Sequence, residues 1–385
     1  MNSVEENMIP NTWEIKSLSE LCSKITDGSH NPPKSFESSS LMMLSGRNVR
    51  DNKLDFEKVR FVSKADFDRE NKRTDIKVGD VLLTTVGTIG RCLVYPKDAP
   101  KVVFQRSVSV IKPLKEINST FLCYFLQNPI AQETMMLKSR GAAQKGIYLK
   151  DVRSLKIPLP PIEEQKRIVA KIDTLFAEID KTITLTEKSL VQAKNLLPSV
   201  LNEIFEKGKA DGWEEKKLGE VFKLTSGKFL PKRKLINGKH KVYGGNGITA
   251  LHNDYFIEDE TIVIGRVGEY CGATHIVDKK SWVTDNGLYC KEFFLDVNLG
   301  FLKSILTNMN LNQYAKTSGQ PSISQTTVHN LSVPIPSIKR QKEIENYFAS
   351  MDKLNEQSKS KLKEQLRYLK QLKSSILSKA FKGEL

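Results

Sequence analysis

The sequence predicts an α+β fold built twice: two mixed α/β domains, each followed by a long helix, joined by an internal repeat. Three observations predict it. Ser154-Leu155-Lys156-Ile157-Pro158-Leu159-Pro160-Pro161, followed by Gln165-Lys166-Arg167-Ile168, returns 176 residues later as Asn330-Leu331-Ser332-Val333-Pro334-Ile335-Pro336-Ser337, followed by Gln341-Lys342-Glu343-Ile344. The flanks repeat as well: Trp13-Glu14-x-Lys16-x-Leu18-x-Glu20 matches Trp213-Glu214-x-Lys216-x-Leu218-x-Glu220, and Ser199-Val200-Leu201 with Phe205 matches Ser375-Ile376-Leu377 with Phe381. After each proline-rich hinge, short strand-like apolar runs give way to heptad spacing. These signals divide the chain into residues 1–157, 158–208, 209–333 and 334–385.

After a polar leader (Met1–Glu6), residues of about 12–157 carry runs such as Val81–Val86 and Lys101–Phe104, bounded by Gly, Asp and Pro, which read as strands. Thr120-Phe121-Leu122-x-Tyr124-Phe125-Leu126 reads as a helix capped by Ser119 or Thr120. Ile168, Ile172, Leu175, Ile179, Ile183, Thr186, Leu190, Ala193 and Leu197 then form a heptad seam with one four-residue stutter. Such a helix is a spacer, about 65 Å long for roughly 45 residues, and Pro198 should kink it. The second domain resumes at Trp213 with Gly-punctuated strands. The matching seam of the last helix is Ile344, Phe348, Met351, Asn355, Ser358, Leu362, Gln365, Leu369, Leu372 and Ile376, so the two helices can pair.

A chain of 385 residues with net charge +15 can bury two cores and suits a polyanionic partner. Cys22, Cys92, Cys123, Cys271 and Cys290 include no C-x-x-C pair and read as reduced core thiols of a cytoplasmic protein. No apolar run reaches membrane-spanning length, and the N-terminus lacks a signal-peptide pattern.

Enzyme signatures are sparse. Asn31-Pro32-Pro33-Lys34 resembles the Asn-Pro-Pro-aromatic motif of amino-methyltransferases, but Lys34 stands where a ring would stack on the flipped base. There is no G-x-x-x-x-G-K-[ST] loop, and His30, His240, His252, His275 and His329 have no metal-ligand spacing. The remaining chemistry is binding chemistry. Lys228, Lys232, Arg233, Lys234, Lys239 and Lys241 lie in an acid-free stretch broken by Ser226-Gly227 and Asn237-Gly238 and followed by Tyr243-Gly244-Gly245-Asn246-Gly247. Turn formers of this kind present cations and amides to phosphates and base edges, although a charge run can also be a solvated face. The nucleic-acid candidates here are these six cations with Tyr243, Asn246 and Arg266. In the first domain they are Lys24, Ser29, His30, Lys34, Arg47, Asn48, Arg50, Arg91 and Arg106. The Gly87-x-x-Gly90-Arg91 and Arg266-Val267-Gly268 loops either bring N–H groups to phosphate or are plain turns. Gln144 and Gln320, matched in Ala143-Gln144 and Gly319-Gln320, either bond a base or brace a loop.

The order of segments, above all the doubled Ile157-Pro158-Leu159-Pro160-Pro161…Gln165 and Val333-Pro334-Ile335-Pro336…Gln341 motif, resembles the specificity subunits of type I restriction-modification systems. The resemblance covers nearly the whole chain and departs at Ser337-Ile338-Lys339-Arg340, where the family has Pro-x-Glu-Glu. It implies two target recognition domains, each reading one half of a split site in double-stranded DNA. It also implies two helices packed as an antiparallel coiled coil, a pseudo-two-fold plan and a non-catalytic role. Two methyltransferase subunits and restriction-translocase subunits would be the partners, carrying S-adenosylmethionine, ATP and Mg2+. Readings from other classes are a self-contained adenine methyltransferase using Asn31 and Pro32, and a basic coiled-coil scaffold.

Overall fold

The computed structural model describes residues 10–385 apart from Ala143, Thr317 and Ser318, so the leader Met1–Glu6 and the Ala143 half of the Ala143-Gln144 pair lie outside the described residues. The chain forms two compact units, Met1–Thr186 with Glu364–Leu385, and Glu187–Lys363.

The first unit is centred on a four-stranded antiparallel sheet ordered Cys22–Asp27, Val108–Pro113, Val81–Thr84, Cys92–Val94. Val81–Thr84 is buried at every position, which is why it reads as an unbroken apolar run. A smaller sheet places Met42–Leu44 between antiparallel Arg60–Phe61 and parallel Val102–Phe104. The helix Ser119–Gln127 is capped by Asn118, not by Ser119 or Thr120: the Asn118 side-chain carbonyl accepts the N–H groups of Thr120 and Phe121 at 2.9 and 3.0 Å. Asparagine outranks threonine as an N-cap because its short side chain reaches those donors readily. The helices Lys64–Thr74 and Pro129–Lys138 carry no clear periodic signal in the sequence. Phe67 and Thr74 are the buried residues of one, and Ala131 and Met135 of the other.

The hinge is a strand. Lys156–Leu159 pairs antiparallel with Glu14–Ser17, Pro158 opposite Ile15. In a two-stranded ribbon both strands are edges, where a residue without an N–H is tolerated. The chain then enters one helix, Ile162–Ala210, which continues through Pro198. Gln165 is fully buried at its start: its Oε1 accepts the Asn118 N–H at 2.8 Å, and its Nε2 donates to the carbonyls of Glu116 and Pro160, both at 2.9 Å. Ile168, Ile172, Phe176 and Ile179 share the core with Ile376, Leu377, Ala380 and Phe381. The Phe381 ring meets Phe121 and Phe125 edge-on, with centroids 5.0 and 5.4 Å apart.

The second unit repeats the plan. Its sheet runs Phe222–Ser226, Gly287–Phe293, Thr261–Gly265, Thr274–Val277, and its smaller sheet sets His240–Gly244 between antiparallel Gly247–His252 and parallel Trp282–Val283. Glu214–Lys217 pairs with Ser332–Ile335. Asn298 caps the helix Leu299–Asn308, and its N–H donates to Gln341 Oε1 at 2.9 Å, as Asn118 does to Gln165.

Within each unit the helix Ile162–Ala210 lies antiparallel to the C-terminal helix Ile338–Ala380. In the first unit Lys373 Nζ is 2.6 Å from Asp180 and Arg167 donates to the Leu385 carbonyl. In the second, Asn355 Nδ2 donates to the Ala193 carbonyl at 2.9 Å. Every expected seam residue of the first helix is buried or half-buried, with Phe176 added beside Leu175. The C-terminal seam needs correction: Ser358, Gln365 and Leu372 are exposed, and Lys359, Leu366 and Lys373 take their places. The step from Met351 through Asn355 to Lys359 therefore contains a stutter like that at Leu175, Ile179 and Ile183. A four-residue step brings the pattern nearer the natural helical period. Lys359 and Lys373 lay their stems along the seam and send their ammonium groups to Glu356 and Asp180.

Candidate nucleic-acid interface

Each unit carries a cavity at the same place in its fold. In the first, about 530 Å3 opens at the end of the Cys22–Asp27 strand, against the turn at Gly87 and the loop from Arg140 to Gly146. Gly87 has φ +80°, a conformation that side-chain-bearing residues rarely adopt, and its N–H donates to the Lys145 carbonyl at 2.9 Å. Arg140 and Gly146 exchange two backbone hydrogen bonds of 2.8 Å, and the Ile147 N–H bonds the Thr85 carbonyl at 2.9 Å. In the second unit about 420 Å3 is framed by the same device. Gly268 has φ +81° and bonds the Pro321 carbonyl at 2.9 Å, Lys316 and Ser322 close the loop, and the Ile323 N–H bonds the Arg266 carbonyl at 2.9 Å.

Gln144 and Gln320 sit alike in these frames. Both are exposed, and the side-chain nitrogens lie 3.0 and 3.1 Å from where a Cβ on Gly87 or Gly268 would stand, so any larger residue at either turn would displace them. The rim is basic in both: Arg106 and Arg140 in the first cavity, Arg266 and Lys316 in the second. The floors differ. In the first unit Asp27 is buried, with the Arg73 guanidinium on Oδ1 and His30 Nε2 2.8 Å from Oδ2. In the second, Ser226 takes the position of Asp27, its hydroxyl 3.4 Å from Arg266 Nη1.

The other sequence candidates divide by environment. Arg47, Lys34, Lys228, Lys232, Arg233, Lys234, Lys239 and Asn246 are exposed or half-exposed, Lys232–Lys234 forming one turn of 3-10 helix. Lys228 Nζ stands 4.3 Å over the Phe256 ring. Phe229 and Ile236, which the sequence does not single out, are exposed beside this cluster. Lys24 donates to the Arg73 carbonyl at 2.6 Å, Arg50 pairs with Asp55 at 3.2 Å, and Arg91 is half-buried, its N–H on Thr84 Oγ1 at 2.9 Å. Lys241 pairs with Asp278, whose carboxyl that hydrogen bond holds below its ordinary range.

Three candidates have their side chains inside the domains. Ser29 is buried while its backbone holds Phe104 and Arg106 in place. Asn48 braces a turn through Ser45, Asp55 and Lys58. Tyr243 packs in a core cluster and its hydroxyl accepts the Asp278 N–H. Conversely Asp27, Arg73, Arg140 and Lys316 escape the sequence reading, although Arg140 and Lys316 stand at the same spacing as the repeated hinge.

The cysteines are free thiols, four of them buried. Burial pushes the Cys22 thiol up to about 12, the opposite of an activated nucleophile. Among the described residues no group of His, Cys, Asp and Glu is placed to hold a metal ion, and no helix is long and apolar enough to cross a membrane.

A family described as the type I restriction modification DNA specificity domain matches residues 10–190 and again 210–368. The chain is 34% identical over 158 residues to the specificity subunit of the type I restriction enzyme EcoBI from Escherichia coli, a match spanning 41% of this chain and 33% of that one. It is 26% identical over 317 residues to the StySPI specificity subunit of Salmonella potsdam, spanning 71% of this chain and 67% of that one. A solved chain from a study of assembly and conformational transition in a type I R-M system superposes with a TM-score of 0.77 at 20% identity, covering 98% of this chain and 99% of that one.

Proposed function

Because the chain belongs to the type I restriction modification DNA specificity family, we propose that it is the non-catalytic subunit that selects the DNA site for a type I restriction-modification complex. Each mixed domain reads one half of a split site in double-stranded DNA. The paired helices set the unread spacer and dock two methyltransferase subunits, with restriction-translocase subunits joining them. S-adenosylmethionine, ATP and Mg2+ belong to those partners on this reading, and the assembly works in the cytoplasm.

The observation that carries the reading is the matched pair of basic cavities. The frame is duplicated, turn for turn, whereas the floor changes from Asp27 with His30 and Arg73 to Ser226 with Arg266. A repeated frame suits the phosphate backbone, which is alike at both half-sites, and a changed floor suits bases, which are not. Arg, His and Asp side chains at such a floor can donate to or accept from base edges.

The test is exchange of the first domain, residues of about 14–157, for that of another specificity subunit, followed by methylome sequencing. One half of the methylated site should change and the other stay. A site changed in both halves, or in neither, would refute independent reading.

A further inference from the structure

The first cavity holds an arginine that is clamped along one edge and open along the other. Arg73, in the last turn of the helix Lys64–Thr74, sets its guanidinium against Asp27 at the end of the strand Cys22–Asp27. Its Nε–H donates to the Asp27 carbonyl at 2.9 Å, and its Nη2 donates to Asp27 Oδ1. These two donors are the side-on fork of a planar group whose five N–H bonds have fixed directions. The end-on fork, one N–H each from Nη1 and Nη2, meets no acceptor among the described residues, and the side chain stays 45% exposed on the cavity wall. Asp27 is buried and its other oxygen, Oδ2, lies 2.8 Å from His30 Nε2, so this carboxylate is spent on holding its neighbours and is closed to a base.

An arginine paired with a buried carboxylate has little net charge left for a phosphate, yet its remaining fork keeps two parallel donors. Arg140 on the same rim is the contrast: it stands 5.6 Å over the Tyr148 ring, meets no carboxylate among the described residues, and keeps its full charge. The major-groove edge of guanine offers two adjacent acceptors, O6 and N7, that match such a fork. We propose that Arg73 is a specificity-determining residue of the first domain and reads one guanine of its half-site, with Asp27 as the residue that positions it. The second unit has no such clamp, because Ser226 stands where Asp27 does and its hydroxyl is 3.4 Å from Arg266 Nη1. The proposal rests on the site-selecting reading above and gives one contact, in one half-site, a chemical identity.

The test uses the assembled complex. Methylome sequencing with the wild type gives the site, and duplexes carrying that site are the binding probes. Arg73→Ala and Arg73→Lys, the second keeping the charge but not the fork, should both tolerate other bases at one guanine position of the first domain's half-site and leave the other half-site unchanged. Discrimination against adenine at that position should fall about 10- to 100-fold. Replacing that guanine by 7-deazaguanine, which lacks the N7 acceptor, should weaken the wild type and leave Arg73→Ala unaffected. Asp27→Ser, which installs the residue of the second unit, should relax the same single position, an outcome that a merely structural role would not produce. Arg73→Ala binding that weakens equally on every sequence, with a log–log salt slope flatter by about 0.9, would make Arg73 a phosphate contact and overturn the proposal. An unchanged site in both Arg73 variants, or a first half-site without a G·C pair, overturns it too and leaves the site-selecting reading standing. A wild-type complex that selects no bipartite site overturns that reading and the proposal with it.

Discussion

Gln165 and Gln341 are the polar residues on which each hinge turns. A single buried amide ties a hinge proline, Pro160 or Pro336, to the cap of the neighbouring helix, so the sheet, the side helix and the long helix share one fixed corner. Gln165→Leu keeps the volume but strands an N–H and two carbonyls, and should cost the first unit about 2–3 kcal/mol, measured by urea unfolding. His329 acts differently. Its Nε2 accepts the Leu224 N–H at 3.1 Å, which only the neutral ring can do, and burial lowers its pKa from the ordinary 6.5. Above that value both folded and unfolded states hold a neutral ring. As the pH falls through it the unfolded chain takes up a proton that the folded chain resists, so stability declines with acid. His329→Gln keeps an acceptor and cannot titrate. Its unfolding free energy should fall less between pH 7 and pH 5 than that of the wild type, the remaining slope including His275, also lowered by burial.

At the level of elements, what the sequence made legible is what it says twice. The hinge strands, the strand-like apolar runs and both long helices follow from repeated or periodic apolar positions. The helix Lys64–Thr74 does not, because its one buried apolar side chain leaves no period to see. Nor does the cavity floor, where Asp27 and Arg73 are far apart in sequence and meet only through tertiary packing. The C-terminal seam departs from its expected course for a physical reason: at Lys359 and Lys373 the stem is the apolar part, and a count of apolar residue types passes over it. Lys232–Lys234 is legible as charge, and the structure leaves all three on the surface of one 3-10 turn, unpaired among the described residues. Replacing them with alanine should lower DNA affinity of the assembled complex. Its log–log salt slope should flatten by about 0.9 for each phosphate no longer neutralised, read from titrations at several salt concentrations.

For the whole molecule, the division between units falls inside both long helices, at Thr186/Glu187 and Lys363/Glu364. Inserting one four-residue turn at both places leaves the pairing inside each unit untouched. If the helices measure the gap between half-sites, a turn of about 5.4 Å against about 3.4 Å per base pair should lengthen the spacer by one or two base pairs with the half-sites unchanged, as methylome sequencing would reveal. The same division has a consequence for biosynthesis. The first unit needs Ile376, Leu377, Ala380 and Phe381 for its core, so on the ribosome it must wait until the whole of the second has emerged. The part made first is finished last, and its closing contacts span nearly the entire chain, the arrangement that slows folding most. A released chain truncated after Lys363 should therefore protect the second unit from protease while Phe121 and Phe125 of the first still lack their cover. A premature stop before Ile376 would disable the first unit although every residue of its sheets had been made.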